Sequence, residues 1–516
     1  MDDAIANVGP TWLFHLPARD NTGGIDSSSN PHLDVNGDGF DDLIIGAIKT
    51  APGGRRNAGT ASVFHGSAAG IADTAARTLE GLAEGDGLGF SVASAGDVNG
   101  DGFADIVVAA PGADPGGRLD AGTVSVYLGG ATGIDSPARA LEGPAAGSLL
   151  GVSVASAGDV NGDGFADIVV GAGGGAPGGR LTAGTATVFH GSASGIAEAP
   201  ARVLEGAAVG DRFGGSVASA GDVNGDGFSD IVVGARSASP RAFGAPGTAS
   251  VFHGSATGIE ETAARTLEGV GLFDSFGASV ASAGDVNGDG FSDVVVGAPR
   301  ASSSRFEAGA ASVFHGSATG IEATATRVFE GVAANDQFGE AVSGAGDVNG
   351  DGFADIIVGA PLVRRNNRLG GIVSVVHGSA TGIATTAART LDGVGELDAF
   401  GWSIARAGDV NGDGFADIVV GAHLAAPGDR VAAGRASVFH GSATGIAPTS
   451  ARTFEGVDAD TWFGYSVASA DDVDAADRQA NACTLARGRP TRRIAQRPSI
   501  STPVKRLTLT VASPER

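Results

Sequence analysis

The residues of this chain best suited to chemistry are aspartates, and they recur at a fixed spacing. The string Asp-Val-Asn-Gly-Asp-Gly-Phe begins at Asp34, Asp97, Asp159, Asp222, Asp285, Asp347 and Asp409, a period of 62 or 63 residues. In each copy oxygen-bearing side chains stand at positions 1, 3, 5 and 9, with glycine at 4 and 6. Alternate residues of a tight turn can aim their oxygens at one centre, and glycine permits the bend. Three carboxylates and an amide, completed by the position-7 carbonyl and water, suit a hard cation that takes six to eight oxygens. Softer metals want His or Cys, which are absent from every loop. Position 12 is Ile45 or a valine, so the bidentate glutamate of an EF-hand is missing. A single copy reads equally as a solvated Asn-Gly or Asp-Gly turn. Seven copies with the same donors read as about seven Ca2+ sites, because bare carboxylates held so close together repel.

The expected calcium donors of the first loop are Asp34, Asn36, Asp38, the Phe40 carbonyl and Asp42. Those of the second and third are Asp97, Asn99, Asp101, Phe103 and Asp105, and Asp159, Asn161, Asp163, Phe165 and Asp167. The fourth and fifth offer Asp222, Asn224, Asp226, Phe228 and Asp230, and Asp285, Asn287, Asp289, Phe291 and Asp293. The last two offer Asp347, Asn349, Asp351, Phe353 and Asp355, and Asp409, Asn411, Asp413, Phe415 and Asp417. An eighth copy starting at Asp472 has Ala476 at position 5 and is expected not to bind. Sites this numerous read as structural fasteners for extracellular calcium, typically tuned to ~0.1–1 mM.

The elements that must position these loops recur with them. In the fourth period segment A is 213–221, the acidic loop follows, and segments B, C and D are 230–235, 247–254 and 264–269. Each is short, β-branched or alternating, and bounded by glycine-rich turns, which is the signature of strands. Glycine makes up 87 of the 516 residues, without a Gly-X-Y period, so turns must be many. Four antiparallel strands repeated seven times predict an all-β, seven-bladed β-propeller with the calcium loops between the first two strands of each blade. Segment A is missing before the first loop and present in surplus at 463–470. That surplus strand is expected to close blade one; a truncated array of eight or more blades is the alternative. The chain is thus divided into a lead segment, 1–33, the propeller, 34–471, and a degenerate repeat with a basic tail, 472–516. The tail is expected to be disordered, as a native extension or as the product of a shifted reading frame.

The chain carries 33 basic and 58 acidic residues, a net charge of −25, which disfavours nucleic acid and suits cations. The lone Cys483 allows no internal disulfide, and no apolar run is long enough to span a membrane. Residues 1–5 show no signal peptide, so either the protein stays inside or an export signal lies upstream of Met1. Six histidines, His65, His190, His253, His315, His377 and His440, fall at one place in the repeat and so read as structural. No unique Ser-His-Asp or Cys-His set stands out, and the expectation is a protein without enzymatic activity. The Arg-x-x-Glu of segment D reads as charge guarding an edge strand. Trp402 and Trp462 break the repeat and read as core packing, with a binding surface as the alternative. The seven B–C loops hold 13 Lys or Arg against four acidic residues. They lie on the face opposite the calcium loops, so Arg55, Arg56, Arg118, Arg180, Arg241, Arg305, Arg364, Arg365, Arg368 and Arg430 are candidates to bind an acidic polysaccharide or a protein. Simple solubilisation of glycine-rich loops by arginine is the alternative.

Phe-Gly at segment A, the Asp-x-Asn-x-Asp-Gly-x-x-Asp loop, and Gly-Ala-Pro at 297–299 and 359–361 resemble FG-GAP repeats. Copies two and three depart, with Leu88-Gly89 and Leu150-Gly151 in place of Phe-Gly. Such repeats form the propeller at the head of integrin α subunits and a similar module of a phospholipase D. The resemblance implies a calcium-braced propeller for adhesion or for protein or glycan recognition, at or outside the cell surface. The alternative is an accessory propeller of a phospholipase-like or other hydrolase system.

Overall fold

The computed structural model describes residues 33–468, except 135–136, 240–243, 303–304 and 366–367. It contains seven four-stranded antiparallel sheets, each running A-B-C-D from its inner to its outer strand. Blade four shows the pattern: Ser216–Gly221, Asp230–Ala235, Thr248–Phe252 and Arg265–Glu268. In blade four, strands A and B are buried along their whole length, whereas D has one buried residue in four, Leu267. That gradient explains why the B segments are continuous Ile-Val runs and the D segments alternate.

The first blade is composite. Its B, C and D strands are Leu43–Ala47, Thr60–Phe64 and Arg77–Glu80, and its inner strand is Phe463–Ala468. Ile44 pairs with Ala468, Ile45 with Val467 and Gly46 with Ser466. Residues 469–477 and the basic tail lie outside the described residues.

Close contact between blades is made by glycine. A Cβ on Gly234 of strand B would overlap the carbonyl of Gly277, which opens strand A of blade five. The same clash would arise at Gly46, Gly171, Gly297, Gly359 and Gly421 against the next blade's glycine. The phenylalanine before that glycine packs edge-to-face on strand C of its own blade, as in Phe213–Phe252, Phe276–Phe314 and Phe400–Phe439, with centroids 6.1–6.2 Å apart.

In blades two to seven the A strand ends in a register shift just before the acidic loop: in blade four Ser219 pairs with Ile231, but Gly221 with Asp230. Ser219 Oγ accepts the Gly221 N–H at 3.1 Å, and Gly221 has φ 72°. Such a bulge turns the chain out of the ladder, and here it aims the loop at one end of the propeller.

Candidate metal loops and the opposite face

Each acidic loop is wound around its first aspartate. In the fourth, the Asp222 carboxylate accepts N–H groups from Gly225, Asp226 and Gly227 at 2.7, 3.1 and 2.8 Å. Asn224 Oδ1 accepts the Asp226 N–H, and Asp226 Oδ1 accepts that of Phe228. Gly225 and Gly227 sit at φ 73° and 89°, where a side chain would strain the backbone. The ninth position differs from the rest. Asp42, Asp105, Asp167, Asp230, Asp293, Asp355 and Asp417 are fully buried. Asp230 accepts the Val223 N–H at 2.9 Å and the Gly254 N–H at 2.9 Å from the C–D turn.

Burial pushes the pKa of Asp230 up from 3.8 to about 8; the two N–H groups oppose this, and the charges of Asp222 and Asp226 add to it. The six equivalents are raised to about 8 as well, with burial the leading cause in each. Among the described residues no group of three or more His, Cys, Asp or Glu side chains is gathered as a metal cage. The structure thus brings positions 1, 3, 5 and 9 into one loop but turns their oxygens onto backbone N–H groups. The donor set still fits a hard cation: it is all oxygen, and it includes a buried carboxylate that the charges of two neighbouring carboxylates push further toward protonation. Positions 3 and 5 are solvent-accessible, giving an ion a way in.

The repeated histidines belong to this end of the propeller. His315 Nδ1 lies 3.2 Å from Nδ2 of Asn287 in its own blade's loop. The glycine of the next blade's C–D turn packs on the imidazole, as Gly258 does on His190 and Gly320 on His253. They are structural wedges.

The opposite face changes the meaning of the arginines. Arg55, Arg118, Arg180 and Arg430 pair with Glu80, Glu142, Glu205 and Glu455 at 3.0, 2.7, 2.7 and 3.3 Å. Their Nε atoms donate to the carbonyls of Gly81, Gly143, Gly206 and Gly456. Arg365 pairs likewise with Asp392 at 2.9 Å. These five brace the B–C loop to the outer strand. Arg368 donates to the Val394 carbonyl at 3.4 Å. Arg56, Arg305 and Arg364 are exposed, and Arg241 lies outside the described residues. The segment-D arginines do more than guard an edge: Arg139, Arg202 and Arg265 donate to the carbonyls of Ile196, Ile259 and Ile321 in the following blade.

Two features of this face have weak sequence signals. Trp402 and Trp462 are only half-buried. Together with Tyr465, His423 and Phe90 they form an aromatic cluster where strand Phe463–Ala468 meets blades seven and two. Lys49 Nζ lies 3.6 Å from the Trp462 ring centroid. Burial, followed by the Lys49 charge, lowers the His423 pKa to about 3, so this imidazole is neutral. The second feature is apolar. Of the 16 exposed large hydrophobic residues among those described, 14 sit in the B–C and D–A loops, including Leu82, Val270, Phe273 and Phe306. The other two, Val203 and Val328, are on outer strands. Among the described residues, the acidic-loop end has none.

The FG-GAP repeat profile matches residues 88–127, 150–189, 213–252, 276–314, 338–376 and 400–439. With six matched repeats in a seven-bladed ring, the chain is an FG-GAP repeat propeller. It is similar to integrin alpha-V of Gallus gallus, 32% identical over 225 residues that cover 42% of this chain and 20% of that protein. Integrin alpha-6 of the same organism is 38% identical over 156 residues, covering 30% and 14%. Integrin alpha-7 of Rattus norvegicus is 40% identical over 151 residues, covering 29% and 12%. The aligned stretches thus span a fifth or less of each of these relatives. A solved Bacillus licheniformis rhamnogalacturonan lyase PL11 aligns over 84% of this chain and 76% of that one at 12% identity. Its TM-score of 0.33 is too loose a likeness to weigh on function. No helix among the described residues is long and apolar enough to cross a membrane.

Proposed function

We propose that this FG-GAP propeller is a non-enzymatic, calcium-braced recognition module that acts in adhesion at or outside the cell surface. The observation that carries the reading is the division of labour between its two ends. One end holds seven all-oxygen loops, each with a fully buried aspartate. Among the described residues, the other holds 14 of the 16 exposed large hydrophobic side chains. Exposed apolar side chains gathered at one end of a fold favour a protein-binding role for that end. The integrin α relatives favour the same assignment.

Calcium would be held by Asp222, Asn224, Asp226, the Phe228 carbonyl and Asp230, and by their counterparts in the other six loops. Its contribution is to neutralise carboxylates that otherwise repel and to fix the loops. At ~10 times the dissociation constant, each site would add about 1.4 kcal/mol to stability.

On the recognition face, five of the ten candidate arginines are engaged in ion pairs within the chain. The partner is therefore a protein docking on the apolar crown, rather than an acidic polysaccharide on an arginine carpet. The full chain, immobilised in about 1 mM calcium, is to be probed with surface proteins and acidic polysaccharides at two salt concentrations. The comparison is the double variant Phe273→Ser, Phe306→Ser, which removes two exposed side chains and leaves the core intact. Protein binding that is insensitive to salt and lost in the variant is the expected result. Salt-sensitive binding of acidic polymers that the variant retains would overturn the apolar reading.

A further inference from the structure

The seven buried aspartates are joined by hydrogen bonds into a closed belt. Asp230 accepts the Gly254 N–H, and the next residue, Ser255, donates its N–H to the Val160 carbonyl of the preceding loop at 3.0 Å. The Val160 N–H in turn reaches Asp167 at 3.1 Å. From Asp167 the same two-peptide link runs through Gly191, Ser192 and Val98 to Asp105, and then through Gly129, Gly130 and Val35 to Asp42. Between blades one and seven, Gly66, Ser67 and Val410 carry it to Asp417. Gly441, Ser442 and Val348 lead to Asp355, and Gly378, Ser379 and Val286 to Asp293. Gly316, Ser317 and Val223 return it to Asp230. Every link has the same form, and none is missing.

A second ring of contacts runs parallel to the belt. The position-7 phenylalanine of each loop lies on the position-4 glycine of the loop before it. A Cβ on Gly162 would come within 2.7 Å of the Phe228 ring, and one on Gly225 within 2.7 Å of Phe291. The seam is no exception, with Gly412 under Phe40. The backbone adds a third tie, as where the Ser229 N–H donates to the Asp159 carbonyl at 3.1 Å. Phe228 and Ser229 lie between the position-5 and position-9 aspartates of loop four. They grip the backbone of positions 1 and 4 in loop three.

We infer that the seven loops take up calcium as one coupled ring rather than as seven independent sites. An ion that orders residues 226–230 fixes Phe228 and Ser229, which then hold 159–162 in place for the next ion. Linkage makes the effect reciprocal, so loop three helps loop four equally. Phe228 and its counterparts act here as positioning residues, since the oxygen each offers to calcium is its carbonyl.

The inference rests on the calcium reading, and the test separates the two. Calcium is titrated calorimetrically into the metal-stripped full chain, and hydrogen exchange of each loop is followed at the same concentrations. The wild type is compared with Asp226→Asn, which removes a charge at an exposed position outside the belt. It is also compared with Phe228→Ala, which keeps every donor oxygen, and with Phe228→Leu as its conservative partner. Coupling predicts a Hill coefficient above 1. In Asp226→Asn it predicts a roughly fivefold or larger loss of apparent calcium affinity at loops 159–167 and 285–293, with a smaller change at 34–42 and 409–417. Phe228→Ala should lower the Hill coefficient and Phe228→Leu restore most of it, while protection of the distant blades shows that the fold is intact. Seven independent sites, with only one lost in Asp226→Asn and its neighbours unmoved, would overturn the coupling and leave the calcium reading standing. No calcium uptake by the wild type would overturn both.

Discussion

Tyr465→Ala tests whether the far end of the chain is a working part of the propeller. Tyr465 stands in the inner strand Phe463–Ala468 and is 3% exposed. Its ring lies 5.5 Å from Phe90 in blade two, 6.1 Å from Trp402 and 5.5 Å from His423 in blade seven, and stacks on Trp462 at 5.9 Å. It therefore touches both blades that flank the seam. Truncating a large buried aromatic to alanine costs about 3–5 kcal/mol, within which aromatic pairing accounts for ~0.5–1.5 kcal/mol. With an unfolding entropy of ~2.1 cal/mol/K per residue, a propeller of roughly 430 residues has ~0.9 kcal/mol/K at its midpoint. The expected fall in Tm is then about 3–5 °C, read by circular dichroism in saturating calcium. Tyr465→Phe keeps the ring and should lose much less. The alanine variant should also become sensitive to protease first near residues 33–48 and 463–468, where the seam opens. A loss below about 1 kcal/mol, with unchanged proteolysis, would refute the reasoning: strand Phe463–Ala468 would then be an appendage, not a closure.

Three further outcomes follow from the packing and the buried charges. Gly234→Ala forces a methyl group into the Gly277 carbonyl of the next blade and should destabilise the propeller by about 1–3 kcal/mol; chemical denaturation at fixed calcium measures it. The seven position-9 aspartates, with pKa raised to about 8, are mostly protonated at neutral pH in chelator. Calcium binding should therefore release close to one proton per site at pH 7 and few at pH 9, which titration in buffers of different ionisation enthalpy would show. The sign of the stability effect follows from folded pKa values above the unfolded 3.8. In chelator the native state binds more protons between about pH 4 and 8, so stability falls as pH rises through that window. In saturating calcium the order reverses, because protons compete with the ion. The same pH trend under both conditions would contradict this account.

Much of the site was legible in the sequence because it is local. Nine consecutive residues contain the donors, their spacing and the glycines, and repetition made seven-fold architecture visible without any contact being known. The surplus segment at 463–470 pointed by simple counting to a partner for the first blade. The departures from reading to structure all concern contacts across the period. The B–C arginines looked like a free basic face, yet Arg55, Arg118, Arg180, Arg365 and Arg430 pair with acids some 25 residues downstream in the outer strand. Both partners of each pair recur in the repeat, and that shared recurrence is the signal that could have joined them. Trp402 and Trp462 read as core but are half-buried around His423, because three consecutive blades converge at the seam.

The sequence by itself determined the strands, their number, the turn chemistry and the all-oxygen loops, since each depends on residue types within one period. Tertiary structure alone decided that the position-9 aspartates are fully buried and linked in a ring, that half of the candidate loop arginines are braced, and that the exposed large hydrophobics gather at one end. The physical reason is distance along the chain. Burial and charge compensation depend on which segments meet across neighbouring blades, and the meeting at the seam joins residues more than 360 positions apart, such as Asp41 and Asp409. A local pattern of residue types encodes that a strand exists, but the closure of the ring determines what its side chains face.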